Sequence, residues 1–326
     1  MSDIIFGLIS IVIGIIVSYG LYWLLNFLVS LLPERVRRKT TWFAFLTPAV
    51  VLVVLVLIIP LFQTVIWSFK SDNVKEWVGF KNYVDLFSDE RFLGILLNNF
   101  LWVLVVPAIT VAIGTAAATL TNQVGPTRER IFKSLIFMPM AISFVAASTI
   151  WAYFYAYVPP GRPEIGLLNS IAISMGFSAQ PWLTMDQGRL NSFLLMAVLV
   201  WLQVGYAMVV ISSAIKNVPA ETLEAAQLDG ANAWQIFAGV ILPQVWGTVM
   251  SVFVTILILV MKIFDIVLAM TRGNFTTSVL AFEWYKQFFE NSNIGPASAV
   301  VTVLVLLIGP LMYLQIRTVR HQETLR

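Results

Sequence analysis

Residues 221–243 read ETLEAAQLDGANAWQIFAGVILP, a polar interruption in the second half of an otherwise oily chain. Glu221, Glu224 and Asp229 stand among the small residues Ala225, Ala226, Gly230 and Ala231. Small side chains let another molecule approach closely, while the carboxylates stay available to Arg or Lys. Pro219 suits the first turn of a helix with Asn217 as its cap, and Gly230 suits the position just past its end. Asn232 then caps a second short helix over 233–242, which Pro243 closes. The stretch 217–243 therefore predicts helix, glycine turn, helix.

Around this stretch the composition is that of a membrane protein. Hydrophobic residues make up 59% of the 326 and charged residues only 11%, and the mean hydropathy is +0.86. Soluble globular chains lie well below this, so the fold class is an all-α integral membrane protein. The formal net charge of +3 is small and its basic residues flank apolar segments, which argues against a nucleic-acid partner. There is no cysteine, so disulfides, thiolate metal sites and cysteine nucleophiles are excluded. The single histidine, His321, excludes a multi-histidine metal site.

Seven apolar stretches are expected to cross the bilayer. The first, 4–32, at about 1.5 Å per residue exceeds a hydrocarbon core of roughly 30 Å. It starts with Asp3 instead of a basic region and lacks a small-residue cleavage site, so it reads as a retained anchor. Arg35, Arg37, Arg38 and Lys39 follow as a basic loop, closing an N-terminal region of 1–41. The second span, 42–69, contains Pro48 and Pro60, and the polar, aromatic segment 70–92 after it reads as interfacial. The third, 93–121, offers Gly114 to Ala118 as a small-residue packing face. The fourth, 135–157, ends in Trp151, Tyr153, Phe154, Tyr155 and Tyr157, which suit either an aromatic belt or sugar stacking. A long loop, 158–191, predicts a short surface helix in IGLLNSIAISMGF and an anchor at Trp182. The last three spans are 192–215, 245–270 and 297–316, ending in a tail with Arg317, Arg320 and Arg326.

The basic cluster at 35–39 belongs in the cytoplasm, which places the N-terminus outside and, after an odd number of spans, the C-terminus inside. Eleven Lys and Arg then fall on cytoplasmic segments against eight on longer outer ones, with Lys262 inside a span. Lys262 and Asp265 are three apart, which on one helix would let them pair. An unpaired charge at mid-membrane costs at least about 2.5 kcal/mol, so both must face protein or water, beside a translocation path or as a structural pair.

The order Glu-Ala-Ala, two residues, Asp-Gly-Ala, then Phe237 and Leu242-Pro243 resembles the EAA loop of permease subunits of binding-protein-dependent ABC importers. The resemblance implies that the loop is a coupling helix on the cytoplasmic side, docked in a groove of an ATP-hydrolysing subunit. Glu224 would meet an arginine of that subunit and Gly230 would make the turn. VGFKNYVDLF, FMPMAISFVAASTIW, VWLQVGYAMVVISSAIKNVP and KIFDIVLAMTRGN extend the likeness over 42–326, a six-helix type I permease core preceded by one extra helix. After the last of these the family's glycine run and proline are missing, at Thr271, Arg272, Gly273 and Asn274. The segments resemble the maltose-type, carbohydrate-importing branch, and the extra span and FTTSVLAFEWYKQFF resemble permeases for α-glucosides and glucosylglycerol.

In that branch the sugar site implied by the resemblance falls on Met140 and Phe144, on Trp201, Leu202, Gln203 and Tyr206, and on Lys262 with its neighbour Asp265. Trp201, Gln203 and Tyr206 combine aromatic faces with polar groups within about one and a half helical turns, although aromatics on membrane helices are commonly packing. No G-x-x-x-x-G-K-[ST] loop occurs. ATP and Mg would accordingly sit on two copies of a partner ATPase, with a second permease, an extracytoplasmic solute-binding protein and the lipid bilayer as further partners. The chain itself would hold no cofactor or metal and catalyse nothing, in the inner membrane of a prokaryote. The competing readings are a permease for a non-sugar solute such as glycerol phosphate and an ion-coupled secondary transporter. The latter predicts inverted repeats and several intramembrane carboxylates, and the sequence offers one central Asp.

Overall fold

The computed structural model describes the backbone of residues 2–159 and 161–324, and their side chains except 2–5, 8, 11, 314–316 and 318–324. Of the expected basic tail, Arg326 and the side chains of Arg320 and His321 lie outside the described residues. The regular structure of the described chain is helical, with one isolated β-bridge between Lys70 and Trp77. It divides into two compact units, Met1–Ile66 and Trp67–Arg326.

The first unit holds α1 (Ser2–Ser30), α2 (Glu34–Val53) and most of α3 (Ile59–Trp67). The basic residues 35–39, expected as a loop, form the opening turns of α2, because only residues 31–33 are needed to reverse the chain and Pro33 begins the helix. Tyr22 of α1 stacks on Phe45 of α2 with ring centroids 6.1 Å apart. Almost every large apolar side chain here is exposed, which suits a hydrocarbon solvent. The described Ser and Thr hydroxyls turn back on their own helix, as when Thr47 donates to Phe43 O at 2.8 Å.

The second unit holds α4 (Lys81–Ser88), α5 (Glu90–Asn122), α6 (Pro126–Phe137), α7 (Phe144–Phe154), α8 (Leu167–Ser174), α9 (Leu190–Lys216), α10 (Ala220–Leu228), α11 (Ala233–Ile236), α12 (Leu242–Met261), α13 (Asp265–Met270), α14 (Leu280–Tyr285) and α15 (Ile294–Thr324). Its core is the parallel pair α5 and α9. Gly114 makes the close approach possible: a Cβ there would stand 2.5 Å from Ala207 Cβ. Ala118 and Ala207 are fully buried, as the small-residue face predicted. α12 packs on both members of this pair, α15 packs in turn on α12 and α14, and α8 is the short helix expected within 158–191.

Among the described residues, six helical stretches are long and apolar enough to cross a bilayer. The expected span 135–157 is not one of them, since α6 and α7 are bent by 102° at a break of 138–143. Pro139 there denies α6 a donor for its next turn, and the Ser143 side chain caps α7 by accepting from Ala146 N at 3.2 Å. The pair makes a seventh crossing only if both arms count as one. The expected span 245–270 is likewise divided: α12 ends at Met261 and α13 starts afresh at Asp265.

α5 and α9 start at the same end of this unit, called here the far end, and finish together at the α10 end. The far end is closed by residues 271–280, where Arg272, Gly273, Phe275 and Thr276 all have positive φ. Three amides hold this loop. Asn98 donates to Ser278 O at 2.9 Å, Asn191 to Phe275 O at 2.7 Å, and Asn99 accepts from Leu280 N at 2.7 Å. Buried side-chain hydrogen bonds to backbone thus stabilise strained residues that a Gly-Gly-Pro sequence would otherwise supply.

Candidate functional site

The stretch 221–243 folds largely as its local chemistry dictates. α10 ends in a Schellman turn: Gly230, at φ +81°, donates to Gln227 O at 3.0 Å and Ala231 donates to Ala226 O at 3.0 Å. Asn232 then caps α11 by a reciprocal box, accepting from Gln235 N at 3.0 Å while its own N donates to Gln235 Oε1 at 2.8 Å. Asn217 has a different place from the one expected, ending α9, and Pro219 occupies the N-cap of α10 with no side-chain cap.

Pro243 does not close the second helix. The backbone widens into a π-turn at Phe237–Ile241 and continues into α12, with Pro243 in its first turn. The same device precedes Pro60, where Val54–Ile58 is a π-turn. A widened turn relieves the proline ring's clash with the preceding carbonyl, so an apparent helix stop is absorbed.

Glu221, Glu224, Ala225, Asp229 and Gly230 are exposed, and no carboxylate among them enters an ion pair among the described residues. Ala226 and Ala231 are half-buried. Two apolar residues absent from the expected set stand out: Leu228 is 89% exposed and Trp234 72%. Their signal in the sequence is an apolar side chain inside a polar loop. Trp234, whose ring lies 5.5 Å from that of Phe237, lines with Phe237 and Leu242 a cavity of about 750 Å³ shared with Thr115, Thr119 and Trp246, so of the two only Leu228 points away from the loop's root. The loop thus offers carboxylates and Leu228 outward and is rooted on α5 by its second half.

The residues expected on a solute path are not brought together. Trp201 lines a cavity of about 680 Å³ with Ile136, Pro139 and Phe193, from which Gln203 and Tyr206 are absent. On a helix, neighbours one and two apart point in different directions, whereas Gln203 and Tyr206, three apart, share a face. Leu202 is 1% exposed and belongs to the core. Met140 and Phe144 sit at the α6–α7 break, the first exposed and the second half-buried. Gln203 is only 6% exposed and its amide makes no side-chain hydrogen bond among the described residues. Trp151 meets Trp201 edge-on at 5.7 Å, and Tyr155 donates to Leu194 O at 3.1 Å, so these two aromatics pack on α9 while Tyr153 faces outward.

Lys262 and Asp265 do not form the expected pair. Lys262 caps the end of α12 and is exposed, Asp265 opens α13, and neither enters an ion pair among the described residues. Three residues span one helix face only while the helix continues, and here it stops between them.

At the α10 end lies a polar knot that local reading did not anticipate. Glu129 in the first turns of α6 receives Lys133 at 2.5 Å and Lys216, the last residue of α9, at 2.5 Å. Lys133 also reaches Asn122 Oδ1 at 3.1 Å and contacts the Ser212 hydroxyl, which itself donates to Asn122 Oδ1 at 2.7 Å. The hydrogen bonds from Lys133 and then Lys216 hold the Glu129 carboxyl below the usual carboxylate range, against the effect of burial. These five residues tie the ends of α5, α6 and α9.

With that geometry, the chain has clear relatives. A family model described as the binding-protein-dependent transport system inner membrane component matches residues 87–320. The osmoprotective compounds uptake permease protein of Synechocystis sp. is 44% identical over 282 residues, 86% of this chain and all of that protein. The alpha-glucoside transport system permease protein of Rhizobium meliloti is 38% identical over 99% of both chains, so α1 lies within the match. A chain of a bacterial ABC transporter involved in the import of the acidic polysaccharide alginate superposes with a TM-score of 0.73. It covers 88% of this chain and 98% of its own, and at 19% identity it shares the fold alone.

Proposed function

The chain belongs to the family of binding-protein-dependent transport system inner membrane components, and we propose on that premise that it imports a sugar or small glycoside, coupled to a separate ATPase through residues 217–243. It is the multi-pass permease subunit of an ABC importer. The relatives named for osmoprotective compounds and alpha-glucosides support the glycoside class. This membership leaves an ion-coupled secondary transporter without support, and a glycerol phosphate permease is the less favoured solute class.

The observation that carries the coupling role is the largely exposed α10, with unpaired Glu221 and Glu224, an exposed Leu228 and a hydrogen-bonded Gly230 turn. An exposed leucine ringed by carboxylates fits a groove that has an apolar floor and an arginine. ATP and Mg belong to the partner subunits, whose closure displaces α10. The basic residues 35–39 favour a cytoplasmic α10 end, an external N-terminus and an internal C-terminus. The far end then receives the solute-binding protein. On the solute path, Gln203 and Tyr206 are the favoured contacts, because they share a face of α9 and offer an amide and a phenol to a hydroxyl-rich solute. Met140 and Phe144 at the α6–α7 break, and Trp201 on the other face of α9, are secondary contacts, and Lys262 and Asp265 act singly.

The test is ATPase activity of the assembled complex in nanodiscs, with its binding protein loaded with trehalose, sucrose or glucosylglycerol. One loaded form should stimulate hydrolysis, and Glu224→Ala should abolish the stimulation while leaving assembly intact. Full stimulation in Glu224→Ala would remove the coupling role.

A further inference from the structure

The knot of Asn122, Glu129, Lys133, Ser212 and Lys216 is not explained by the loop's docking, since none of these residues lies in 217–243. It sits where α9 hands over to α10: Lys216 ends α9 and Pro219 caps α10. Glu129 is the only carboxylate in it, with a side chain 14% exposed, and both ammonium groups converge on one of its oxygens. The contact of Lys216 with Glu129 joins α9 to α6 by charge, while Lys133 joins α6 to α5 through Asn122.

A second contact lies further along α6. A Cβ on Gly205 would stand 2.5 Å from Phe137 Cα and 2.6 Å from Ile136 O, so α9 and the end of α6 touch backbone to backbone. Directly beyond lies the break at 138–143, flanked by Met140 and Phe144, with Pro139 and Ile136 in the cavity wall that Trp201 shares. Between Lys216 and Gly205, α9 and α6 are therefore fixed at two points about three helical turns apart. Two fixed points make α6 follow α9 in direction as well as position. One point alone would leave it free to pivot.

We propose that Glu129 is a positioning residue for energy coupling: through Lys216 and Lys133 it makes α6 follow the α9–α10 junction, so that displacement of α10 reaches the broken segment 138–143. This rests on the coupling role of α10 proposed above. The two lysines on one carboxylate form a linkage that survives transiently if either ammonium swings away, which suits a joint under cyclic load. Replacing Glu129 leaves two cations facing each other with nothing between them.

The experiment measures solute imported per ATP hydrolysed in proteoliposomes of the whole complex, supplied with binding protein loaded with whichever of trehalose, sucrose and glucosylglycerol stimulates the unaltered complex. Glu129→Gln is expected to lower that ratio about tenfold and Lys216→Met about threefold, the range of coupling energies carried by residues that touch no ligand. Because both act on one linkage, the double variant should be no worse than Glu129→Gln alone. Glu129→Asp, which keeps the charge, should stay near the unaltered ratio, and all variants should retain assembly and basal hydrolysis. An unaltered ratio in Glu129→Gln overturns the proposal, as do losses that multiply in the double variant. Glu224→Ala, run in parallel, separates the two ideas. If it uncouples and Glu129→Gln does not, only the linkage is wrong; if neither uncouples, the coupling role of α10 fails with it.

Discussion

The two ends of α9 are fastened by different chemistry. At the far end, neutral amides of Asn98, Asn99 and Asn191 hold a loop with four left-handed residues, each amide bonding to backbone. The charged groups there tie other elements, Arg91 joining α5 to Glu283 of α14 and Arg189 donating to Gly94 O of α5. At the α10 end, a carboxylate and two ammonium groups hold three helices together. A buried amide bonded to backbone has one good geometry, so it fixes a shape. An ion pair at the edge of solvent, with the Lys216 side chain half-exposed, tolerates lengthening and exchange, so it keeps elements together while they shift. The difference teaches that one end is built as a frame and the other as a joint, with the α5–α9 seam between them.

The largest effect is expected where that seam is broken. Gly114→Leu drives a side chain into Ala207 Cβ and the backbone at Met208 and should cost about 3 kcal/mol, read as loss of assembled complex in detergent and a lower unfolding temperature. Next comes the frame. Asn98→Ala removes the donor to Ser278 O from a site that water does not reach, and should cost about 1–3 kcal/mol in thermal unfolding while leaving solute per ATP unchanged. Glu129→Gln is its mirror image, with coupling lost and stability largely kept. If Asn98→Ala uncouples and Glu129→Gln merely destabilises, the assignment of frame and joint is reversed.

How much of this was legible in the sequence follows from distance along the chain. The Gly230 turn and the Asn232 cap were legible because each is settled by residues two to five apart. That α5 packs closely through Gly114 to Ala118 was legible, since small residues on a membrane helix have few other uses, but that α9 is its partner was not. Pro243 misled because the π-turn that absorbs it has no sequence mark among apolar residues. Lys262 and Asp265 misled because their pairing assumed a continuous helix, and the break between them lies in KIFD, which reads as helical. The family resemblance groups Trp201 with Gln203 and Tyr206, and their spacing within about one and a half turns hides that they lie on different faces of α9. The polar knot was out of reach, since Asn122 and Ser212 are 90 residues apart and ordinary in themselves.

The central claim is that the α10 end receives the ATPase on the cytoplasmic side. The chain has no cysteine, so Leu228→Cys places a single thiol at the most exposed apolar point of the loop. Labelling with a membrane-impermeant maleimide is the direct measurement. The account predicts no reaction in intact cells, reaction in inverted vesicles stripped of the ATPase, and protection when the ATPase subunits are added back. Labelling from outside intact cells, or equal labelling with and without the ATPase, would contradict it.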